Sequence, residues 1–316
     1  MHRLGEHHDT EHTALFYEDR DGFVDPISGF LSDGAANGDR LMVAVAHDKA
    51  AWLREALGRV ADRIDFVDSA GLYERHGSML TAIHSQLERH GRPGQGRIRL
   101  VAESALGARA RADARAYMCY EAASNELYRD FDAAILCPYD AARLPDEILD
   151  AARRAHPRVA ERGHAGPSRR FEDPRSFVRA FARAEPAPPG AEHHRLEHPD
   201  DLAGVRSIVR ARAASAGLSA HAIEDLTIAV SEIAANAFIH GGAPRALCSY
   251  QQDGDLIVQI RDGGAGPADP LTGYLPPLGD RAGGRGLWLA HQLCDIVEIT
   301  SYASQTDVFL HVRIAD

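Results

Sequence analysis

Two oxygen-bearing side chains, Glu232 and Asn236, stand four residues apart in the run Ser231-Glu232-Ile233-Ala234-Ala235-Asn236-Ala237-Phe238-Ile239-His240. On a helix that spacing puts them on one face. A carboxylate and a carboxamide so placed can hold a water and a magnesium ion, which takes oxygen ligands. The same pair also reads as a solvated polar stripe, because such pairs are common on helix surfaces. Downstream, Ile257-Val258-Gln259-Ile260-Arg261 runs into Asp262-Gly263-Gly264-Ala265-Gly266-Pro267. A buried aspartate there can accept a hydrogen bond from an exocyclic amine, and glycines let backbone approach a flat base. Taken alone, the motif is equally a glycine-rich turn after a strand. A third run, Gly283-Gly284-Arg285-Gly286-Leu287-Trp288-Leu289, opens a helix with glycines. Free N–H groups and the positive dipole end at such a start suit phosphate. Arg285 or Arg281 could add positive charge there.

Each run is weak by itself; in this order and spacing the three resemble the N, G1 and G2 boxes of the GHKL ATPases. The resemblance covers about residues 192–316 and implies ATP and magnesium as cofactors. It implies Asn236 as the magnesium ligand and Glu232 as general base. It implies Asp262 as the reader of adenine, with Gly264 and Gly266 flanking the base. Gly284 and Gly286 fall on the glycines that wrap the phosphates, with Arg285 between them. Thr306 takes the place of a late threonine near adenine, although Ser304-Gln305 precede it where the family usually has glycine.

Within that superfamily, histidine kinases carry a helical hairpin with a phospho-accepting histidine before the ATP module. Here a Pro-rich stretch and one short helix intervene, and His193, His194 and His198 open no long amphipathic helix. The combination Ala229-Val230-Ser231-Glu232…Asn236 with Gly284-Arg285-Gly286-Leu287 is most similar to the anti-sigma-factor serine kinases. This resemblance implies transfer of the ATP γ-phosphate to a serine of an anti-sigma antagonist, and a sigma factor as second partner. A non-catalytic protein that sequesters a sigma factor in an ATP-dependent way needs the same pocket, so that alternative stays open. A sensor histidine kinase is the third reading.

The N-terminal part holds a second set of polar residues. His12-Thr13-Ala14-Leu15-Phe16-Tyr17, Ala102-Glu103-Ser104, Tyr120-Glu121…Asn125-Glu126-Leu127, Leu136-Cys137-Pro138-Tyr139-Asp140 and His156-Pro157 resemble the MEDS sensory domain over about residues 10–185. That resemblance implies a small-molecule signal. Joined to the ATP module, the pair resembles the anti-sigma factor RsbA family. His12, Tyr17, Glu103, Glu121, Cys137, Tyr139 and Asp140 could line a polar ligand pocket. A metal site is conceivable from the same residues, yet no ligand pair has diagnostic spacing. Structural hydrogen bonding is the plainer account, because buried polar groups need partners in any fold. The N-terminal part contains no GxxxxGK[ST] phosphate loop. His7-His8 could chelate a metal, but a solvated terminus is the simpler reading.

The elements that must position these residues follow from periodicity. In the N-terminal part, apolar runs at Leu41–Ala46, Ile64–Val67, Ile98–Ala102 and Ala133–Cys137 read as buried parallel strands. Helical patterns at Lys49–Arg59, Ser78–His90, Ala112–Tyr128 and Asp146–Ala155 alternate with them. That alternation predicts a layered α/β domain with a mostly parallel sheet, its functional residues at the strands' carboxyl ends. Glu185-Pro186-Ala187-Pro188-Pro189-Gly190 marks a boundary, giving domains 10–185 and 192–316 around a linker at 186–191.

In the C-terminal part, helices are expected near Asp200–Ala216, Ser219–His240 and Gly286–Cys294. Strands are expected at Arg245–Gln252, Asp255–Arg261, Asp295–Ala303 and Asp307–Ile314. Asp253-Gly254 is a hairpin signal. The order predicts an α+β sandwich with helices on one face, the architecture of the GHKL fold.

The 316 residues suffice for two cores, with 45% hydrophobic and 26% charged residues. A net charge of −11 argues against direct nucleic-acid binding, which favours a basic face. No apolar run is long enough to span a bilayer. The opening MHRLGEHHDTEH lacks an apolar signal segment, and the four cysteines form no CxxC. These features predict a cytoplasmic protein; they leave the oligomeric state open, a homodimer included.

Overall fold

The computed structural model describes residues 10–314, apart from 70–74, 93, 95, 104–105, 107–110, 182–186, 278–283 and 303. Ser104, Arg281, Gly283, His7 and His8 lie outside the described residues. The chain divides by contact into two compact units. One takes in residues up to 74, 79–109 and 121–177; the other takes in 75–78, 110–120 and 178 onward.

The first unit is built on a sheet of β1 (Glu11–Tyr17), β2 (Arg40–Val45), β3 (Ile64–Asp68), β4 (Ile98–Ala102), β5 (Ala133–Asp140), β6 (Arg158–Glu161) and β7 (His164–Pro167). Their order is β3-β2-β4-β5-β1-β6-β7. Every pairing is parallel except β6 with β7. The expectation of a mostly parallel α/β sheet therefore holds. Residues Ala133–Tyr139 of β5 are all buried, as a central strand covered on both faces requires.

The helices in chain order are α1 (Arg20–Asn37), α2 (His47–Leu57), α3 (His76–His90), α4 (Arg111–Tyr128), α5 (Asp146–Ala155) and α6 (Pro174–Phe181). Periodicity missed α1, which contains Pro26 and several glycines. It forms because Asp19 caps the Gly22 N–H at 2.8 Å while Phe23, Ile27 and Leu31 bury completely on one face. Gly38, at φ +80°, closes it in the left-handed conformation that glycine adopts freely. The hairpin from β6 to β7 turns at Arg162-Gly163, both with positive φ.

The second unit holds β8 (Glu192–Arg195), α7 (Asp201–Ser215), α8 (Ala220–Ile239), β9 (Ala246–Gln252), β10 (Asp255–Asp262), α9 (Arg285–Leu293), β11 (Ile296–Tyr302) and β12 (Gln305–Arg313). The strands form an antiparallel sheet in the order β11-β12-β10-β9-β8. Asp253 and Gly254 take φ of 52° and 84°, the two-residue turn that joins β9 to β10. Cross-strand pairs Leu256–Val312, Val258–Leu310 and Ile260–Val308 share one face of the sheet. They belong to one core with Val205 and Val209 of α7, with Leu226, Val230, Ile233 and Ala237 of α8, and with Ala290 of α9. This is the expected α+β sandwich. Sequence reading missed β8, whose polar Glu-His-His-Arg pattern carries no strand signal. Among the described residues, no helix is long and apolar enough to cross a membrane.

Candidate nucleotide site

Helix α8 organises the site. Ser219 caps it by accepting from the Ala222 N–H at 3.2 Å, and its apolar face locks into the core, so its remaining face has a fixed direction. Glu232 and Asn236 lie on that helix and are half-buried. Against them comes the first turn of α9. A Cβ added to Gly286 would stand 2.9 Å from Glu232 Oε2 and 3.1 Å from Asn236 Nδ2. Only bare backbone fits there comfortably. Gly284 starts α9 at φ +79°, and as a glycine it offers no side-chain cap to the first-turn N–H groups, which lie open to an anionic acceptor among the described residues. The positive end of that helix therefore stands beside a carboxylate and a carboxamide.

The Asp262 loop meets the C-terminal end of α8. Asp262 closes β10 opposite Thr306 of β12. Its Oδ1 accepts from the Gly264 N–H at 2.7 Å, and Thr306 Oγ1 donates to the Gly264 carbonyl at 3.0 Å. The Gly263 N–H donates to the Gly242 carbonyl at 2.8 Å. A Cβ on Gly241 would fall 2.5 Å from the Asp262 carboxylate, so the glycine pair that ends α8 also admits the aspartate. Gly266 has φ +74°, and a Cβ there would lie 2.1 Å from Ser301 Oγ. Glycine is required at this position twice over, by conformation and by space.

All three sequence runs therefore converge on the C-terminal half of one helix: Gly286 on Glu232 and Asn236, the Asp262 loop on the glycines that follow its end. Asp262 differs from the expectation of a buried carboxylate. It is half-buried, whereas Thr306 is buried at 4% exposure. Arg285 is exposed. Gly241 was legible only as a helix stop; its contact with Asp262 depends on tertiary approach.

In the first unit, five of the seven polar residues expected to share a pocket separate into two groups, without Tyr139 and Asp140. Tyr17 donates to Glu103 Oε1 at 2.5 Å, and Lys49 Nζ donates to both Tyr17 Oη and Glu103 Oε1 at 2.6 Å. They gather at the carboxyl ends of β1 and β4. Burial raises the Glu103 carboxyl above its usual range, with Lys49 opposing the shift. Burial, then Glu103, raises the Tyr17 phenol. Lys49, in the first turn of α2, gave no signal in the sequence. The second group is His12, Glu121 and Cys137, joined by His156.

Residues 11–157 match the MEDS family, the methanogen/methylotroph, DcmR sensory domain. Residues 197–312 match the histidine kinase-like ATPase domain. The chain thus joins a MEDS domain to a histidine kinase-like ATPase domain. Among solved structures, the RsbU and RsbW domains of Rv1364c from Mycobacterium tuberculosis are 23% identical over 40% of this chain, with a TM-score of 0.30. This chain covers 33% of that one. The histidine kinase domain of the blue-light activated histidine kinase from Erythrobacter litoralis EL346 is 17% identical over 53% of this chain and 81% of its own, with a TM-score of 0.24. No curated protein matches the sequence.

Proposed function

We propose that the protein is an ATP-dependent anti-sigma-type regulator: its C-terminal domain transfers phosphate to a serine of an anti-sigma antagonist, under control of the N-terminal sensory domain. The observation that carries this reading is the bare Gly286 backbone against Glu232 and Asn236. It leaves an anion-seeking helix start next to an oxygen donor pair, as a magnesium–triphosphate requires. Bound ATP would supply the phosphoryl group. Asn236 would hold magnesium, and the first turn of α9 from Gly284 through Arg285 to Gly286 would cradle phosphate oxygens. Asp262 would accept from the adenine amine, with Gly264 and Gly266 against the base and Thr306 bracing the loop. Glu232 would take the proton of the attacking serine hydroxyl.

The domains would span 10–185 and 192–316, with 186–191 as linker. The Tyr17–Lys49–Glu103 cluster offers charged and neutral hydrogen-bonding groups for a small-molecule signal. Four free cysteines and the use of ATP suit the cytoplasm.

Incubation with γ-labelled ATP and candidate antagonists tests the reading. Acid-stable label on a partner serine is expected, lost in Glu232→Ala while ATP still binds. Tight ATP binding with no partner labelled would replace transfer with sequestration of a sigma factor. Acid-labile label on a histidine of this chain would make it a histidine kinase.

A further inference from the structure

His12, Glu121, Cys137 and His156 come from four different places: β1, α4, β5 and the residue after α5. All four are buried. The parallel pairing of β1 with β5 sets His12 opposite Ile135. Residues alternate faces along a strand, so Cys137 shares the face of His12. His12 Nε2 lies 3.3 Å from Glu121 Oε2, and His156 Nε2 lies 3.3 Å from the same oxygen. Cys137 Sγ is 3.4 Å from His12 Nε2 and 3.8 Å from Glu121 Oε2. One donor atom from each residue falls within 4.8 Å of every other.

The outer hydrogen bonds fix which nitrogen faces inward. His156 Nδ1 is 2.8 Å from the Ala152 carbonyl, which can only accept, so Nδ1 carries the proton. The Asn125 amide nitrogen donates to the Ala155 and Ala122 carbonyls at 2.8 and 3.0 Å, which turns its oxygen towards His12 Nδ1 at 3.0 Å. That nitrogen is protonated too. Each imidazole then presents Nε2 to the same Glu121 oxygen at 3.3 Å, within a buried cluster. His156 Nε2 satisfies no hydrogen-bond geometry there. A metal ion at the centre would meet one donor atom from each of the four residues. Histidines held by a carbonyl or carboxamide at the far nitrogen are the usual supports of a metal.

We propose that His12, Glu121, Cys137 and His156 form a closed tetrahedral site for a zinc-class divalent transition metal. The spacings agree: metal–nitrogen and metal–oxygen bonds of about 2.1 Å and a metal–sulfur bond of about 2.3 Å give tetrahedral edges of roughly 3.4 and 3.6 Å. One thiolate and one carboxylate neutralise a dication. Binding transfers the Cys137 thiol proton to solvent as the sulfur–metal bond forms. Four protein ligands leave no open position, so the metal ties β1, β5, α4 and α5 together as a staple and supplies no catalytic water. The spacing hid it, because the ligands are spread from residue 12 to residue 156 and meet only through the parallel sheet.

The full-length protein, purified without an affinity tag, tests this. One zinc per chain is expected by elemental analysis. After chelation, titration with cobalt(II) alone should develop tetrahedral ligand-field bands and a thiolate-to-cobalt charge-transfer band, saturating at one equivalent. Cys137→Ser should lose the charge-transfer band, and His156→Gln should weaken cobalt binding at least about 10-fold, the least expected when even outer-shell changes reach that size. A His7→Ala/His8→Ala variant should bind as the parent does. Wild-type protein that carries no metal and gives no charge-transfer band with cobalt overturns the site. So does a band that survives Cys137→Ser.

Discussion

Gly286→Ala separates the nucleotide site from the fold around it. The new methyl carbon would lie 2.9 Å from Glu232 Oε2, 3.1 Å from Asn236 Nδ2 and 3.4 Å from Glu232 Cβ. The two closest atoms are tips of flexible side chains, so the fold can yield by turning them away. Replacing glycine by alanine in a helix contributes about 0.5–1 kcal/mol in favour of folding. The crowding offsets that gain, and net stability should change by less than about 1 kcal/mol, a shift of a few degrees in Tm for a domain of this size. Binding should suffer more. Turning Asn236 and Glu232 away would remove one charge-assisted interaction at the proposed magnesium–phosphate centre, worth about 1.5–3 kcal/mol, which is roughly 10- to 150-fold in affinity. Calorimetric titration with ATP and magnesium, beside a thermal melt, reads both quantities. A folded Gly286→Ala protein with unchanged ATP affinity would refute the placement of phosphate between α9 and the Glu232/Asn236 pair.

Other perturbations have definite expected outcomes. Gly266→Ala meets both a positive φ and the Ser301 hydroxyl at 2.1 Å, and should destabilise by about 1–3 kcal/mol; adding Ser301→Ala should recover only part, and full recovery in urea unfolding would contradict the backbone argument. Thr306→Val deletes the 3.0 Å bond to the Gly264 carbonyl. It should cost about 1 kcal/mol of stability, and an unchanged denaturation midpoint would show that Thr306 does not brace the loop. His311 is buried, which lowers its pKa, yet the carboxylates of Asp255 at 3.7 Å and Glu298 at 3.3 Å outweigh burial and raise it to about 9. A raised histidine stabilises fully below its unfolded pKa of about 6.5 and loses that contribution as pH rises through the folded value. The advantage of wild type over His311→Gln should therefore shrink by up to roughly 3 kcal/mol between about pH 6 and pH 10, and a constant difference in urea unfolding would contradict it.

Local signals made much of the second unit legible. Ser219 before an apolar-periodic run announced α8, Asp253-Gly254 announced the turn into β10, and the glycines before Leu287 announced α9. What they could not convey was convergence. That Gly286 rests on Glu232, and Gly241 on Asp262, depends on helix packing between residues tens of positions apart. Thr306 shows register overriding local pattern: Ser304-Gln305 stand where glycine was expected, yet β12 still pairs Thr306 with Asp262. In the first unit, Pro26 masked α1, although its cap and its buried Phe23, Ile27 and Leu31 sufficed to form it. The single polar pocket anticipated from motifs became two clusters because side chains alternate across strands. Lys49 and His156 completed them from helix ends, where periodicity carries no information about direction.

The most direct test of the nucleotide assignment is equilibrium binding of ATP to the wild-type protein and to Asp262→Asn. The carboxylate accepts from the Gly264 N–H at 2.7 Å, and asparagine can keep that bond through its carbonyl oxygen, so the fold should persist. Its amide would then turn N–H donors towards the proposed adenine amine, itself a donor. The account predicts saturable ATP binding in the wild type and its loss in Asp262→Asn at an unaltered melting temperature. Equal ATP affinity in the two folded proteins would contradict it.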